Sequence, residues 1–341
     1  MLGDLSSLAP ATCRTVGARP RTQGDTYSLQ LPSQMGYTKR MTATPPRLKL
    51  FSAFAAVYLI WGSSYLAIVW GLETVPPLLL GAARFVTAGA VLLAISAARG
   101  GGKFTSRQLL NASVVGLLLP FLGNGSLIWA QQRIPSGIAA LIVATVPLWM
   151  VVIQTAVEHV RPSRQIWIGV GMGLGGLAIL VSTGGGVAGA VHLPSALILC
   201  GGSIAWAAGS IYSRSAELPA SGLTSAALTM LAASVFFSVS ALVAGEHRGF
   251  DVAEVSLRSL AGLAYLSILG SVVAYSAYIW LLQVASPARV GTYAYVNPLI
   301  AVVLGWAFLN EPISARTAIA AGVILLAVIL ITMAPQPSRR R

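Results

Sequence analysis

From Leu50 onward the chain is a succession of apolar runs, each long enough to cross a bilayer as a helix. A hydrocarbon core ~30 Å thick requires roughly 20 such residues. Ten runs fit: 50–72, 76–98, 109–131, 136–157, 165–182, 194–213, 222–245, 259–282, 288–309 and 315–334. Turn-forming residues punctuate them, at Pro76-Pro77, Gly100-Gly101-Gly102, Pro135, Pro162, Gly184-Gly185-Gly186, Pro219 and Pro312. The charge-free region from Gln165 to Tyr212 is divided at its glycines and His192, because one helix that long could not lie across a bilayer. The fold class is therefore all-α integral membrane, with ten transmembrane helices. Composition agrees: 9% of residues are charged, against about 25% in soluble domains.

The flanks differ. Residues 1–49 are polar and lack apolar periodicity, which predicts a disordered tail. No signal peptide is expected, because the first apolar run begins only near Leu50. An organellar transit segment and a translation start at Met41 both stay open. Residues 335–341 form a short basic tail. With ten spans both tails share one side. That side takes 17 Lys and Arg, whereas the other takes only Arg133, Arg248, Arg258 and Arg316. The positive-inside rule then places both termini in the cytoplasm. The formal charge of +13 lies in loops and tails and builds no basic face, so no nucleic-acid partner is expected. Cys13 and Cys200 form neither a disulfide framework nor a metal pattern. Neither metal nor cofactor is expected.

Two runs carry a proline near their centre, Pro147 in Ala144-Thr145-Val146-Pro147-Leu148 and Pro298 in Thr292-Tyr293-Ala294-Tyr295-Val296-Asn297-Pro298-Leu299. Proline donates no hydrogen bond and its ring clashes with the carbonyl four residues back. In hydrocarbon that carbonyl finds no water. Both sites should therefore be helix breaks or hinges that face protein or a polar cavity. The spacing repeats as well: Ser136 to Pro147 and Pro287 to Pro298 are both eleven steps. Five spans per half is odd, so the halves insert with opposite orientation, the inverted-repeat plan of many secondary transporters. Repeat 1 spans 50–182 and repeat 2 spans 194–334.

Several segments together resemble the EamA-type drug/metabolite transporter superfamily. They are Ile60-Trp61-Gly62-Ser63-Ser64-Tyr65, Ala83-Arg84-Phe85, Leu122-Gly123-Asn124-Gly125, Pro135-Ser136-Gly137-Ile138-Ala139-Ala140 and Tyr293-Ala294-Tyr295-Val296-Asn297-Pro298. The resemblance covers roughly residues 50–333 and is nearest to bacterial inner-membrane members. It implies two repeats and export of small metabolites, amino acids or drugs through a central cavity. Many members carry Glu where this chain has Asn297, so no titrating carboxylate is carried over to that position.

Helical spacing selects the candidate cavity residues: Trp61 and Tyr65 in the first span, Asn124 in the third, Trp206 and Ser210 in the sixth, Tyr275 in the eighth, Tyr293 and Asn297 in the ninth. Gln131, seven residues after Asn124, should share its face. Ser63, Ser64, Ser203 and Gly209 read as helix-packing residues. Arg84 is the one charge deep in a span. Bonding to freed carbonyls and attraction of an anionic solute are both open to it. No Asp, Glu or His lies deep in a span, so no proton relay stands out, leaving Glu158 or Glu311 near the ends to titrate. The sequence Gly171-Met172-Gly173-Leu174-Gly175-Gly176 fits a dinucleotide fingerprint but follows no strand, so close helix packing is expected. His159, His192 and His247 all fall in loops, which leaves an intramembrane enzyme without its chemistry. The expected protein is an inner-membrane carrier for a small amphipathic solute, surrounded by lipid bilayer. A channel or passive facilitator is the alternative, and a homodimer is an open assembly state.

Overall fold

A computed structural model describes residues 46–158, 162–181, 191–285, 290 and 292–334. Residues 1–45 of the expected tail 1–49, the tail 335–341 and the glycines 184–186 lie outside these residues. Every regular element described is helical. Among the described residues ten long helices follow one another: α1 Arg47–Gly71, α2 Pro77–Ala98, α3 Ser106–Ala130, α4 Ser136–Val157, α5 Arg164–Val181, α6 Leu193–Ser215, α7 Gly222–Ala244, α8 from Leu257 to Val284, α9 Tyr293–Leu309 and α10 Ala315–Met333. Eight contain apolar stretches long enough to cross a membrane, and α5 and α9 are shorter apolar helices. Helix α1 starts inside the expected tail, at Arg47.

Local chemistry sets the helix ends. Pro77 occupies the first turn of α2, where its missing N–H is an orphan anyway. Thr105 and Gln108 form a reciprocal capping box at α3. Ser221, Ser256 and Ser314 each accept the backbone N–H three residues on, capping α7, α8 and α10. Gly245 closes α7 in the left-handed conformation.

Neighbour relations are duplicated. Helix α2 packs along α7, and α5 along α10. Helix α1 packs against α8 and α9, as α6 packs against α3 and α4. Replacing each helix by the one five places away reproduces the same set. Glycines permit the close approaches. Gly81 of α2 sits under the Phe237 ring of α7, and Gly169 and Gly176 of α5 lie against Ile331 and Ile324 of α10. Outward, Leu59, Val86, Val239, Val303, Trp306, Phe308 and Leu326 are exposed, an apolar belt suited to lipid rather than water.

The loops segregate to two ends. At the odd-loop end, Thr74 bonds Ser256 and Ser259, and Arg258 pairs with Glu73 at 3.0 Å. At the even-loop end, Asn111 donates to the Glu217 carbonyl at 2.9 Å and Ser96 bonds Thr224 at 2.6 Å. Two carboxylates from the second half clasp helix N-termini of the first. Glu246 accepts the N–H groups of Leu78 and Leu79 at 2.9 and 3.1 Å. Burial pushes its carboxyl above the ordinary range, although both N–H bonds pull the other way. Asn310, in the left-handed region at φ 55°, turns the chain at the end of α9. Glu311 thereby accepts Ser136 N–H at 2.7 Å, Ser136 Oγ–H at 3.0 Å and Gly137 N–H at 3.2 Å. A Cβ at position 305 would stand 2.3 Å from the Glu311 Oε2, so glycine there makes room for the carboxylate. Anions are favoured at such helix starts.

The packing makes a stability test. A Cβ at position 81 would come within 2.4 Å of the Phe237 ring, which is fully buried between Phe85 and Phe121. Gly81→Ala should lower stability by about 1–2 kcal/mol, overpacking less the gain in helix propensity. Gly171→Ala, whose Cβ would meet nothing within 4 Å, should gain up to about 1 kcal/mol. Thermal unfolding of the two variants in detergent micelles measures the contrast.

Candidate functional site

Helices α3 and α8 occupy equivalent places in the two halves, and each contains a wider i→i+5 stretch. In α3 it is Leu117–Asn124, around Pro120; in α8 it is Tyr265–Val273. Pro120 cannot hold the ordinary i→i−4 bond, which accounts for the first. Such widened turns are frequent at functional sites. Both contribute to the wall of one cavity, through Leu119, Pro120, Gly123 and Asn124 on one side and Gly270 and Ser271 on the other.

The cavity has a volume of ≈ 140 Å³ and takes its wall from both halves. Trp61 donates its indole N–H to the Gly270 carbonyl at 3.0 Å, a group within the widened stretch. The Trp61 ring meets Tyr278 at 5.2 Å and Tyr293 edge-on at 5.3 Å. Tyr278 in turn meets Tyr293 at 5.9 Å and Tyr275 at 6.3 Å. This tilted and edge-to-face cluster joins α1, α8 and α9. Below it, Tyr58 and Thr292 share a short hydroxyl contact.

Two buried polar side chains in this wall carry an atom without a hydrogen-bond partner. Arg84, 6% exposed, gives its Nε–H to Ser271 Oγ at 3.1 Å. Its Nη1 has no hydrogen-bond partner. Asn297 is also 6% exposed, and its Oδ1 is unpartnered. No Asp, Glu or His is among the residues lining the cavity. No group of His, Cys, Asp and Glu among the described residues could hold a metal ion.

Of the side chains singled out from the sequence, Trp61, Tyr65, Arg84, Asn124, Trp206, Tyr275, Tyr293 and Asn297 line the cavity, as do Pro147 and Pro298. Ser210 is not among the lining residues. Its hydroxyl donates to the Trp206 carbonyl at 2.7 Å, the i−4 bond open to a helical serine. Gln131 does not share the face of Asn124. It closes its helix as the C-cap, outside the lining residues, and its Nε2 donates to the Tyr65 carbonyl at 3.0 Å instead. Arg289 lies outside the described residues.

The prolines behave differently from each other. Before Pro147 the helix is interrupted at Ala144-Thr145 and restarts at Val146. Pro147 thus sits in a first turn, where its missing N–H costs little. Thr145 Oγ–H satisfies the Ile142 carbonyl at 2.6 Å. Pro298 lies inside a continuous helix that starts five residues earlier at Tyr293, with Thr292 in the turn just before it.

Ser64 and Ser203 also line the cavity while their hydroxyls bond carbonyls of their own helices, so packing and lining coincide there. Thr229 and Met230 of α7 join the wall. Thr224, Ser225, Thr229, Ser234, Ser238 and Ser240 scatter small hydroxyls along α7, so no single one stands out in the sequence.

The EamA-like transporter family model matches residues 49–182 and again 193–333. The inner membrane transporter YedA of Escherichia coli K12 is 40% identical over 287 residues, covering 84% of this chain and 91% of that protein. Protein PecM of Dickeya dadantii is 26% identical over 305 residues, covering 86% and 95%. A solved crystal structure at 22% identity matches the fold with a TM-score of 0.59 over 84% of this chain and 98% of its own.

The placement of the wall is open to chemical mapping. In a chain with Cys13 and Cys200 replaced by serine, Trp206→Cys, Tyr293→Cys and Asn297→Cys should react with a small polar thiol reagent. Ser210→Cys and the lipid-facing Leu326→Cys should react several-fold more slowly, because the reactive thiolate forms only where water reaches. Equal rates at all five positions would contradict this wall.

Proposed function

The chain belongs to the EamA-like transporter family, and we propose that it is a secondary carrier exporting small amphipathic solutes by alternating access. It is a multi-pass membrane transporter, and its resemblance to YedA puts it in the inner membrane. The observation that carries the reading is one aromatic-walled cavity drawn from both halves of a duplicated helix set. A site at a repeat interface, framed by interrupted helices, suits two halves that rock about it. The interruption in α4 and the widened stretches in α3 and α8 supply places where the backbone can flex. The two matched segments support reading residues 50–182 and 194–334 as two repeats. The excess of basic residues at the even-loop end supports a cytoplasmic location for that end and for both tails.

A membrane-bound enzyme fits poorly. The cavity wall lacks carboxylate and imidazole groups among its lining residues, and general acid–base chemistry needs such a group within reach. The same feature favours solute exchange or facilitation over a proton relay inside the cavity.

Reconstituted in liposomes, the chain should show saturable uptake that accelerates when the same solute is loaded inside. The candidates for that solute come from a resistance and efflux screen of amino acids and toxic analogues. Trp206→Ala and Asn297→Ala should each reduce exchange about tenfold, the loss of about 1.4 kcal/mol of binding. Unitary current steps without counterflow would make the protein a channel and end the carrier reading.

A further inference from the structure

We infer that the solute held in this cavity is a small organic carboxylate, with its anionic group at Arg84 and its apolar body against the tryptophan–tyrosine wall. The inference rests on the carrier reading and adds the charge of the cargo. Arg84 lies eight residues past Pro76, about 12 Å along a helix axis, and is almost wholly enclosed. A guanidinium remains protonated in proteins and carries five N–H donors. Here Nε is engaged by Ser271 and Nη1 has no partner. Among the described residues Arg84 makes no ion pair. The Glu246 and Glu311 carboxylates are engaged at helix starts at the odd-loop end.

A buried charge lacking a counter-charge costs several kcal/mol. The cavity that Arg84 borders is where a counter-charge could enter. Asn297 supplies the second requirement. Its unpartnered Oδ1 accepts only, so it favours a molecule that also presents an N–H or O–H. A carboxylate matches the planar fork of a guanidinium. A cationic solute would be repelled by Arg84 and would meet no carboxylate in the wall. An inorganic anion would satisfy Arg84 and leave the aromatic wall with nothing to cover.

The test uses the purified full chain in lipid nanodiscs and isothermal titration calorimetry. The probes are 4-hydroxyphenylacetate and its neutral isostere 4-hydroxyphenylacetamide, which share a ring and a hydroxyl donor. The acid should bind at least about tenfold tighter than the amide, the scale of one hydrogen bond to a charged group. Arg84→Gln should erase that preference, lowering the affinity for the acid about tenfold more than for the amide, whereas Asn297→Leu should weaken both probes alike. Equal affinity of the two probes for the unaltered chain, binding of neither, or a preference that survives Arg84→Gln overturns the inference. Displacement of the acid by chloride at matching concentration would mark an inorganic-anion site and overturn it too. If Arg84→Gln does not fold, the comparison of acid with amide on the unaltered chain decides, with Arg84→Lys expected to retain the preference. Liposome counterflow separates this from the carrier reading. Acid bound without exchange ends the carrier reading and leaves the anion site standing. Exchange of solutes with no preference for a carboxylate does the reverse.

Discussion

Hydrocarbon offers a peptide group nothing to bond with, and the architecture follows from that refusal. Ten apolar stretches satisfy their backbones internally as helices, and the helices turn large aliphatic and aromatic side chains outward. Irregular backbone is tolerated only where protein or a cavity takes up the freed groups. Here the departures gather around one place. The interruption of α4, the widened stretches of α3 and α8 and the proline of α9 all border the same cavity. A binding space and the defects that shape it are thus one feature.

That space is chemically lopsided. Its aromatic residues come chiefly from α1, α8 and α9, and its unpartnered buried polar atoms are a guanidinium nitrogen and an amide oxygen. Isolated polar atoms of this kind are costly in a packed interior, whereas a cavity allows a partner to arrive and leave. The residues that enclose them belong to both halves, so a movement of one half against the other changes the wall itself.

Much of this was legible in the residues, because hydropathy reports burial in lipid directly. The helix starts at Pro77, Ser136 and Ala315 fall within a residue of the apolar boundaries. Tyrosine, tryptophan and asparagine stand out against aliphatic neighbours, so Trp61, Tyr293 and Asn297 could be picked by spacing alone. Spacing failed at a helix end. A wheel drawn at 3.6 residues per turn pairs Asn124 with Gln131, and Gln131, closing its helix, spends its amide on the Tyr65 carbonyl. Ser210 failed for a different reason, since a serine can return its hydroxyl to the preceding turn and carry no outward message. Pro298 shows that a proline marks stress on a helix without saying where the chain will turn.

The duplication holds for neighbours and not for fastenings. Glu246 and Glu311 both reach from the second half to first-half helix starts, at one end of the bundle. The described ties at the other end include neutral pairs such as Ser96 with Thr224 and the exposed ion pair of Arg107 with Glu217. Charge-assisted bonds are about twice as strong as neutral ones. Two halves alike in their neighbours thus have a bolted face and a looser one, and on the proposed carrier reading this tilts the energy landscape of their relative motion before any cargo is aboard.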